Sequence, residues 1–564
     1  MPWQEVRGFG TDPKSLFLNL NQRPRRRTEA MRKYVDMRGH LRNLEERGLL
    51  KKVTRVMNKD TEIHPLVRWQ YRGGLKDSQR MGFLFENVVD AKGKKYDYPV
   101  AVCVMAGSTQ IYAVGLGCKP HEVIAKWQHA LEHPIPPVLV KSGSVHDVVM
   151  SGSDLTKAGG GLYKFPIPIS TPGFDNAPYT TCSNWISRDP ETGVQNIGNY
   201  RGHVKASDRI GIFPSALGQD VYLHWEKCKA KGIPLEAALV IGPPPVVSYA
   251  AVEKVPYGMD EMALAGGLAE EPIEVVKCKT VDLLVPADTE LVIEGKISTE
   301  YLELEGPFGE SHGYMHPRQL NPYMEVTAIT HRRDMIFVSW VSQVTPSESS
   351  IIKKMAYEAG YLNFLKKECR IKSCVRVTMH EPLTNLRKLL VIQMKDPSES
   401  EIWRALRAAA SRHQGVGKVV VAVDEDIDPE NADALWWAIC YRAKPHLDME
   451  ILRYAEKGHA PPFHYSLEGQ DVVAYGEKAD DSSLLINAIL KEPFPPVSLP
   501  KKEYMEKALE IWNELGLPEV YPQSPWFGYS LGQWDVELEE EARLAVAGEH
   551  HRTGEKIKAK RAKA

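Results

Sequence analysis

Between residues 164 and 332 the chain is cut into short runs of β-forming residues by Pro, Gly, Asn and Asp, and this punctuation limits the fold more than any other feature. "TTCSNWIS" (180–187), the turn "RDPETG" (188–193) and "VQNIGNYRGHV" (194–204) read as a hairpin. "VVKCKTVDLLVP" (275–286), "TELVIEGKI" (289–297) and "YMEVTAITHR" (323–332) continue the strand pattern, and one helix, "DVYLHWEKCKAKG" (220–232), interrupts it. A β-barrel or sandwich is expected here.

The flanks differ. "VDMRGHLRNLEERGLLKKV" (35–53) predicts an amphipathic helix, capped by Asp36, with Leu41 and Leu44 on one face and Gly48 as its stop. Apolar runs then alternate with helical stretches to about residue 150. After residue 335, "KLLVIQMK", "ESEIWRALRAAASRH", "KVVVAVD" and "ENADALWWAICYRA" form a βαβα series on a parallel sheet. Asp428-Pro429 is expected to open the last of these helices, with Asp424 and Asp426 near its N-terminus. "KKEYMEKALEIWNELGL" (501–517) places Tyr504, Ala508, Ile511 and Leu515 on one stripe, to dock on its own domain or on a second subunit. The expected fold is a multidomain α+β and α/β chain: 1–150 N-terminal α/β, 151–335 central β-barrel, 336–500 C-terminal α/β, and 501–564 a helical extension with a basic tail.

Net charge is -2 over 564 residues, which gives no field for nucleic acid or an anionic membrane. The basic clusters at Arg23–Arg27 and Lys556–Lys563 read as solvated tails. Eight cysteines, none in a CxxC, suit a reducing compartment; Cys103 and Cys440 lie in apolar runs, where cysteine behaves as a small hydrophobe. No signal-peptide core and no long apolar run is seen, so a cytoplasmic location is expected. "GVGK" (415–418) is not a phosphate loop, "DEDID" lacks the glycine and glutamate of a calcium loop, and no GxSxG occurs.

In "IEGKISTEYLELEGPFGESHGYMHP" (293–317), Glu305 and Glu310 sit five apart, separated by Gly306, Pro307, Phe308 and Gly309. That density of Gly and Pro excludes an ordinary helix. His312 and His316 follow, but Gly313 and Pro317 disfavour the helix that would align them with Glu310 on a metal.

Three segments belong together: "NIGNYRGHV" with Asn196 and Arg201, "PYGMDEMALAGGLAEEPIEVVKC" with Glu261, and "EGPFGE" with Glu305 and Glu310. In this order they resemble the UbiD family of prenylated-FMN-dependent (de)carboxylases, over about residues 36 to 490. The resemblance implies a split, flavin-reductase-like central barrel. It implies a Glu–Arg–Glu network of Arg201, Glu305 and Glu310, and a divalent metal, usually manganese, on Asn196 and Glu261, with potassium as a further candidate ion. Asn199, Tyr200 and Arg201 would lie along the flavin, with Phe213, Pro214, Ser215 and Lys478 as further cofactor contacts. One departure stands out. Where the family has a third, histidine metal ligand, this chain has Leu217 or, by another anchoring, Gln219; Gln219, Asp220 or water would then complete the site, and His224 is displaced into a helix. The implied partners are an aromatic carboxylic acid, CO2 and a flavin prenyltransferase that supplies the cofactor, in a homodimer or homohexamer.

The residue types suit that chemistry. Loss of CO2 from an sp2 carbon needs an electron sink that only a cofactor offers. Arg201 can grip a carboxylate by two bonds, Glu305 would hold it, and Glu310 would return the proton, with a pKa raised by burial or by Glu305. Phe213 and Phe308 lean the choice of substrate towards an aromatic acid over a heteroaromatic or α,β-unsaturated one. Asn196 and Arg201 are an odd number of positions apart, so one strand would face them oppositely; a bulge or kink at Gly198 or Gly202 is expected to bring them together. A flavin-dependent oxidoreductase would call for a dinucleotide fingerprint that the chain lacks, and a non-catalytic carboxylase subunit is at odds with the intact Arg201, Glu305 and Glu310.

Overall fold

In a computed structural model, the residues described are 34–214, 219–253, 255, 257–380, 382, 384, 387–413, 415–453, 482–520 and 533–559. Ser215, Leu217 and Lys478 lie outside them.

The first helix, Met37–Glu46, starts where Asp36 accepts a hydrogen bond from the Gly39 amide at 2.8 Å, and buries Leu41 and Leu44. It leads into a five-stranded mixed sheet in which Leu50–Asn58, Gly82–Val89 and Val100–Val102 lie side by side. The last strand of that sheet, Phe337–Ser339, comes from far along the chain and pairs in parallel with Val100–Val102. Residues from Tyr34 to Ala359 accordingly share one hydrophobic core.

The β-rich region forms a nine-stranded sheet, with the hairpin Asn184–Arg188 and Gln195–Asn199 at one end of its path and Tyr179–Thr180 at the other. Chain length dictates its curvature. Six inter-strand spacings would separate Tyr179–Thr180 from Asn184–Arg188 by about 29 Å in a flat sheet. The link from Thr180 to Asn184 spans at most about 14 Å. The sheet therefore curls until its ends approach. Glu274–Lys277 and Leu284–Pro286, expected as part of this sheet, instead form a separate three-stranded one with Val138–Leu139.

The C-terminal sheet has Leu389–Met394, Val419–Asp424 and Ser482–Ala488 in parallel, with antiparallel edges Cys374–Met379 and Met449–Arg453. Smaller cores hold its helices. The helix expected to open at Asp428-Pro429 begins at Ala432, because Asn431 caps it by accepting from the Ala434 amide. Asp424 and Asp426 instead grip Arg442. Cys440 is exposed, because that face of the helix meets solvent; all eight cysteines are free thiols. Helix Lys502–Glu514 buries none of its residues, and Tyr504, Ile511 and Leu515 are exposed. Among the described residues, no helix is long and apolar enough to cross a membrane.

Candidate active site

Arg201 stands where the curled sheet comes together. Strand Gln195–Asn199 ends, Tyr200 and Arg201 make the crossing, and strand Gly202–Ala206 begins on the other side. Of the bulge or kink expected here, no bulge occurs at Gly198 or Gly202; the chain breaks between two strands instead. Both pairings are regular at this point, Asn184 opposite Asn199 and Gly202 opposite Ile212, so the strand break itself relieves the parity of Asn196 and Arg201. The glycines matter for another reason. A Cβ on Gly198 would lie 2.6 Å from the Tyr200 ring, and one on Gly202 would lie 2.3 Å from Thr180 Oγ1. Asn199 and Tyr200 fasten the crossing: Asn199 Oδ1 accepts from the Ser183 amide at 2.8 Å, and the Tyr200 carbonyl accepts from Trp185 Nε1 at 2.9 Å.

The two acids reach Arg201 from a pair of small ladders. Glu303–Glu305 pairs with Gln319–Asn321, and Phe308–Gly309 pairs with Met315–His316. Gly306, at φ +96°, turns the chain between them, and a side chain there would press on the Pro317 carbonyl. Glu305 is fully buried and takes Arg201 Nε and Nη2 at 2.8 and 2.7 Å. Glu310 takes Nη1. Three of the five guanidinium N–H groups are thus engaged, leaving one on each terminal nitrogen. Phe213 covers the guanidinium at 3.9 Å from ring centroid to Cζ, and Phe308 at 5.0 Å. Pro214, next to Phe213, is buried.

Electrostatics follow from these contacts. Burial opposes the charge on Glu305, but the Arg201 guanidinium outweighs it and holds the carboxyl below the usual range. Burial likewise opposes the Arg201 charge, and Glu305 and Glu310 reverse the effect. Glu310 is less enclosed than a buried proton donor: its side chain is 23% exposed, and Arg201 stands between it and Glu305. Burial lowers His316 and takes His203 and His312 down to about 4, so these rings stay neutral near pH 7. His316 packs edge-on against Phe213 and its Nδ1 meets the Pro317 carbonyl.

Asn196 and Glu261 meet nearby. Asn196 Nδ2 donates to Glu261 Oε1 at 2.8 Å and to Asp220 Oδ2 at 3.1 Å, and Glu261 Oε2 accepts from the Ile197 amide. With both contacts taken by the amide nitrogen, the amide's oxygen faces away; it is buried and makes no hydrogen bond. Burial pushes Glu261 up to about 8, and the Asp220 charge adds to that. Gln219 turns to the Tyr200 hydroxyl, and His224 to Ser187 Oγ. Of the described residues near the expected third ligand, Asp220 is the one that hydrogen-bonds to Asn196. No group of three or more His, Cys, Asp or Glu able to hold a metal occurs among the described residues.

Comparison with known proteins places this arrangement. Residues 139–344 match the 3-octaprenyl-4-hydroxybenzoate carboxy-lyase Rift-related domain, and residues 350–472 match the C-terminal domain of the same lyases. The fold and these matches define a carboxy-lyase. The chain belongs to the UbiD family. An uncharacterized protein of Archaeoglobus fulgidus is 30% identical over 63% of this chain and 72% of its own length. A phenolic acid decarboxylase of Sedimentibacter hydroxybenzoicus is 28% identical over 74% of this chain and 86% of its own. The UbiD-class enzyme HmfF from Pelotomaculum thermopropionicum, solved as an evolved dimeric form with prFMN, superposes with a TM-score of 0.72 at 29% identity, covering 84% of this chain and 99% of that one. The vanillic acid decarboxylase of Sedimentibacter hydroxybenzoicus in closed form gives 0.69 at 26%, covering 86% and 99%.

Sequence reasoning missed three side chains around this centre: Arg68, Asp175 and Gln343. No local pattern marks them, because each comes from a different part of the chain.

Proposed function

We propose that this protein catalyses the reversible, non-oxidative decarboxylation of an aromatic or heteroaromatic carboxylic acid, with α,β-unsaturated acids as the adjacent class, using prenylated FMN. The observation that carries this reading is Arg201 held edge-on by Glu305 and capped by Glu310, with an N–H left on each terminal nitrogen. Two such donors match the two oxygens of a carboxylate. The prFMN bound to HmfF supports the choice of cofactor.

When bound, prenylated FMN supplies the electron sink that no ordinary side chain provides. Arg201 orients the substrate carboxylate, and Glu305 fixes the orientation of its guanidinium over Phe213. Glu310, partly open to water and so able to regain a proton, delivers one to the carbon that has lost CO2. Asn196, Glu261 and Asp220 would hold a divalent cation. Oxygen donors suit manganese or magnesium, and a cation there would relieve the burial of Glu261 and give the Asn196 carbonyl a partner. We read the curled sheet as a split barrel of the flavin-reductase kind, and the bare stripe Tyr504, Ile511 and Leu515 as a face for a second copy in a homodimer or homohexamer.

Co-expression with a flavin prenyltransferase, followed by a screen of aromatic acids for CO2 release, tests the proposal. Turnover together with a bound modified flavin is expected. A chain that carries no flavin and releases no CO2 from any acid would overturn it.

A further inference from the structure

Against the turn that carries Glu310 lies a second polar cluster, assembled from three distant segments. Arg68, on helix Ile63–Arg72, donates from Nη1 to the Ser342 carbonyl at 3.3 Å and from Nη2 to the Ser170 carbonyl at 3.2 Å. Its Nη2 also donates to Gln343 Oε1. An arginine only donates, so this contact fixes the Gln343 amide with its Nε2 turned away. That nitrogen is buried and makes no hydrogen bond. Asp175 is fixed in the same manner: Oδ2 accepts from the Thr171 amide at 2.6 Å, while Oδ1 is buried and unpartnered. The cluster thus presents an oriented donor on Gln343 and an oriented acceptor on Asp175, together with the unpartnered hydroxyls of Ser170, Thr171 and Ser342.

Its position adjoins the acids. Gln343 packs against Gly309, where a Cβ would lie 2.4 Å from Gln343 Cγ, and Gly309 immediately precedes Glu310. The loop holding Asp175 is tied to the same turn, since Asn176 Nδ2 donates to the Gly306 carbonyl at 3.0 Å. The charges of Arg68 and Arg201 both act on Asp175. Gln343 holds φ at +73°, in the left-handed region that costs a non-glycine residue energy. Backbone strain of this kind persists where the surroundings enforce a function.

Buried polar groups in native proteins are normally satisfied, so an orphaned donor and an orphaned acceptor in one cluster point to a ligand group that completes both. Resting on the decarboxylase reading above, we propose that Asp175, Gln343 and Arg68 form a specificity subsite that reads a ring substituent able to donate and accept a hydrogen bond at once, such as a hydroxyl. Asp175 Oδ1 accepts its proton and Gln343 Nε2 donates to its oxygen. Arg68 is a positioning residue that sets the amide and balances Asp175. A methoxy group satisfies only Gln343, and a hydrogen satisfies neither.

The test compares benzoate, 3- and 4-hydroxybenzoate and the matching methoxybenzoates on the flavin-loaded enzyme, by calorimetric Kd and by kcat/KM. Wild type is expected to favour one hydroxybenzoate over benzoate and over its methoxy counterpart by about tenfold. Gln343→Met, which keeps size but loses the donor, and Asp175→Ser should each cut that preference below about threefold, with the Kd for benzoate within about twofold of wild type. Wild type that binds all these acids equally, as it would if only water met these atoms, overturns the subsite and leaves the decarboxylase reading intact. So does a preference that survives in both variants. Lost flavin absorbance in the variants, with unchanged preference, also overturns it by assigning the atoms to the cofactor. Wild type that binds no ring acid and releases no CO2 overturns both.

Discussion

Arg201 organises the centre, and its two acids differ in kind. Glu305 is buried and bidentate; Glu310 is partly exposed and holds one nitrogen. Removing one partner of a buried ion pair strands the other charge, so Glu305→Ala should lower stability by about 3–5 kcal/mol in denaturant titrations. Glu310→Ala should lower it by no more than about 1 kcal/mol. Glu305 sits below the usual range, so its contribution is present above the ordinary carboxyl pKa and lost as pH falls through its own lower value. Asp175 runs the other way. Burial raises it to about 6, so the folded chain keeps a proton that the unfolded chain has released, and stability from this group declines as pH rises from about 4 to 6. Wild type should therefore lose up to about 3 kcal/mol relative to Asp175→Asn across that window, read from paired unfolding curves. Equal slopes for the two proteins would contradict the account of Asp175.

At the scale of elements, the crossing at Tyr200–Arg201 is the device that builds the site. It brings one end of a long sheet to the other and leaves a charged side chain at the junction. Gly202→Ala should be costly, since its Cβ would meet Thr180 Oγ1 at 2.3 Å and Ile210 Cδ1 at 2.8 Å. Overpacking of this kind costs about 1–3 kcal/mol, and the shift it forces on Arg201 should reduce kcat/KM by more than the lost stability explains. Much of this level was legible in the sequence. The hairpin 184–199 and the first helix with its Asp36 cap announce themselves through β-forming runs around a Pro- and Gly-containing turn and through a capping residue, which are local signals. The contact of Arg201 with Glu305 and Glu310 spans more than a hundred residues, and only motif resemblance brought them together. The parity of Asn196 and Arg201 suggested a bulge or kink without deciding between them, because alternation tells which face a residue takes and not where a strand ends. Arg68, Asp175 and Gln343 carried no signal at all, since convergence from three segments leaves no spacing to read.

On the scale of the whole molecule, one hydrophobic core joins Tyr34 to Ala359, so the helix bearing Arg68 and the sheet that leads to Arg201 share a core. Helix Lys502–Glu514 contrasts with this, since it leaves Tyr504, Ile511 and Leu515 in solvent. If that stripe meets a second copy, Ile511→Asp with Leu515→Asp should shift the protein to a smaller species in light scattering, while the unfolding midpoint of the monomeric unit changes little. An unchanged mass would assign the face to something other than self-association. The measurement that bears most directly on the central claim is proton return in D2O by the flavin-loaded enzyme. Wild type should place one deuterium on the carbon that loses CO2, and Glu310→Gln should retain flavin while releasing no deuterated product. A Glu310→Gln enzyme that turns over at the wild-type rate would contradict the role given to Glu310, and with it the division of labour around Arg201.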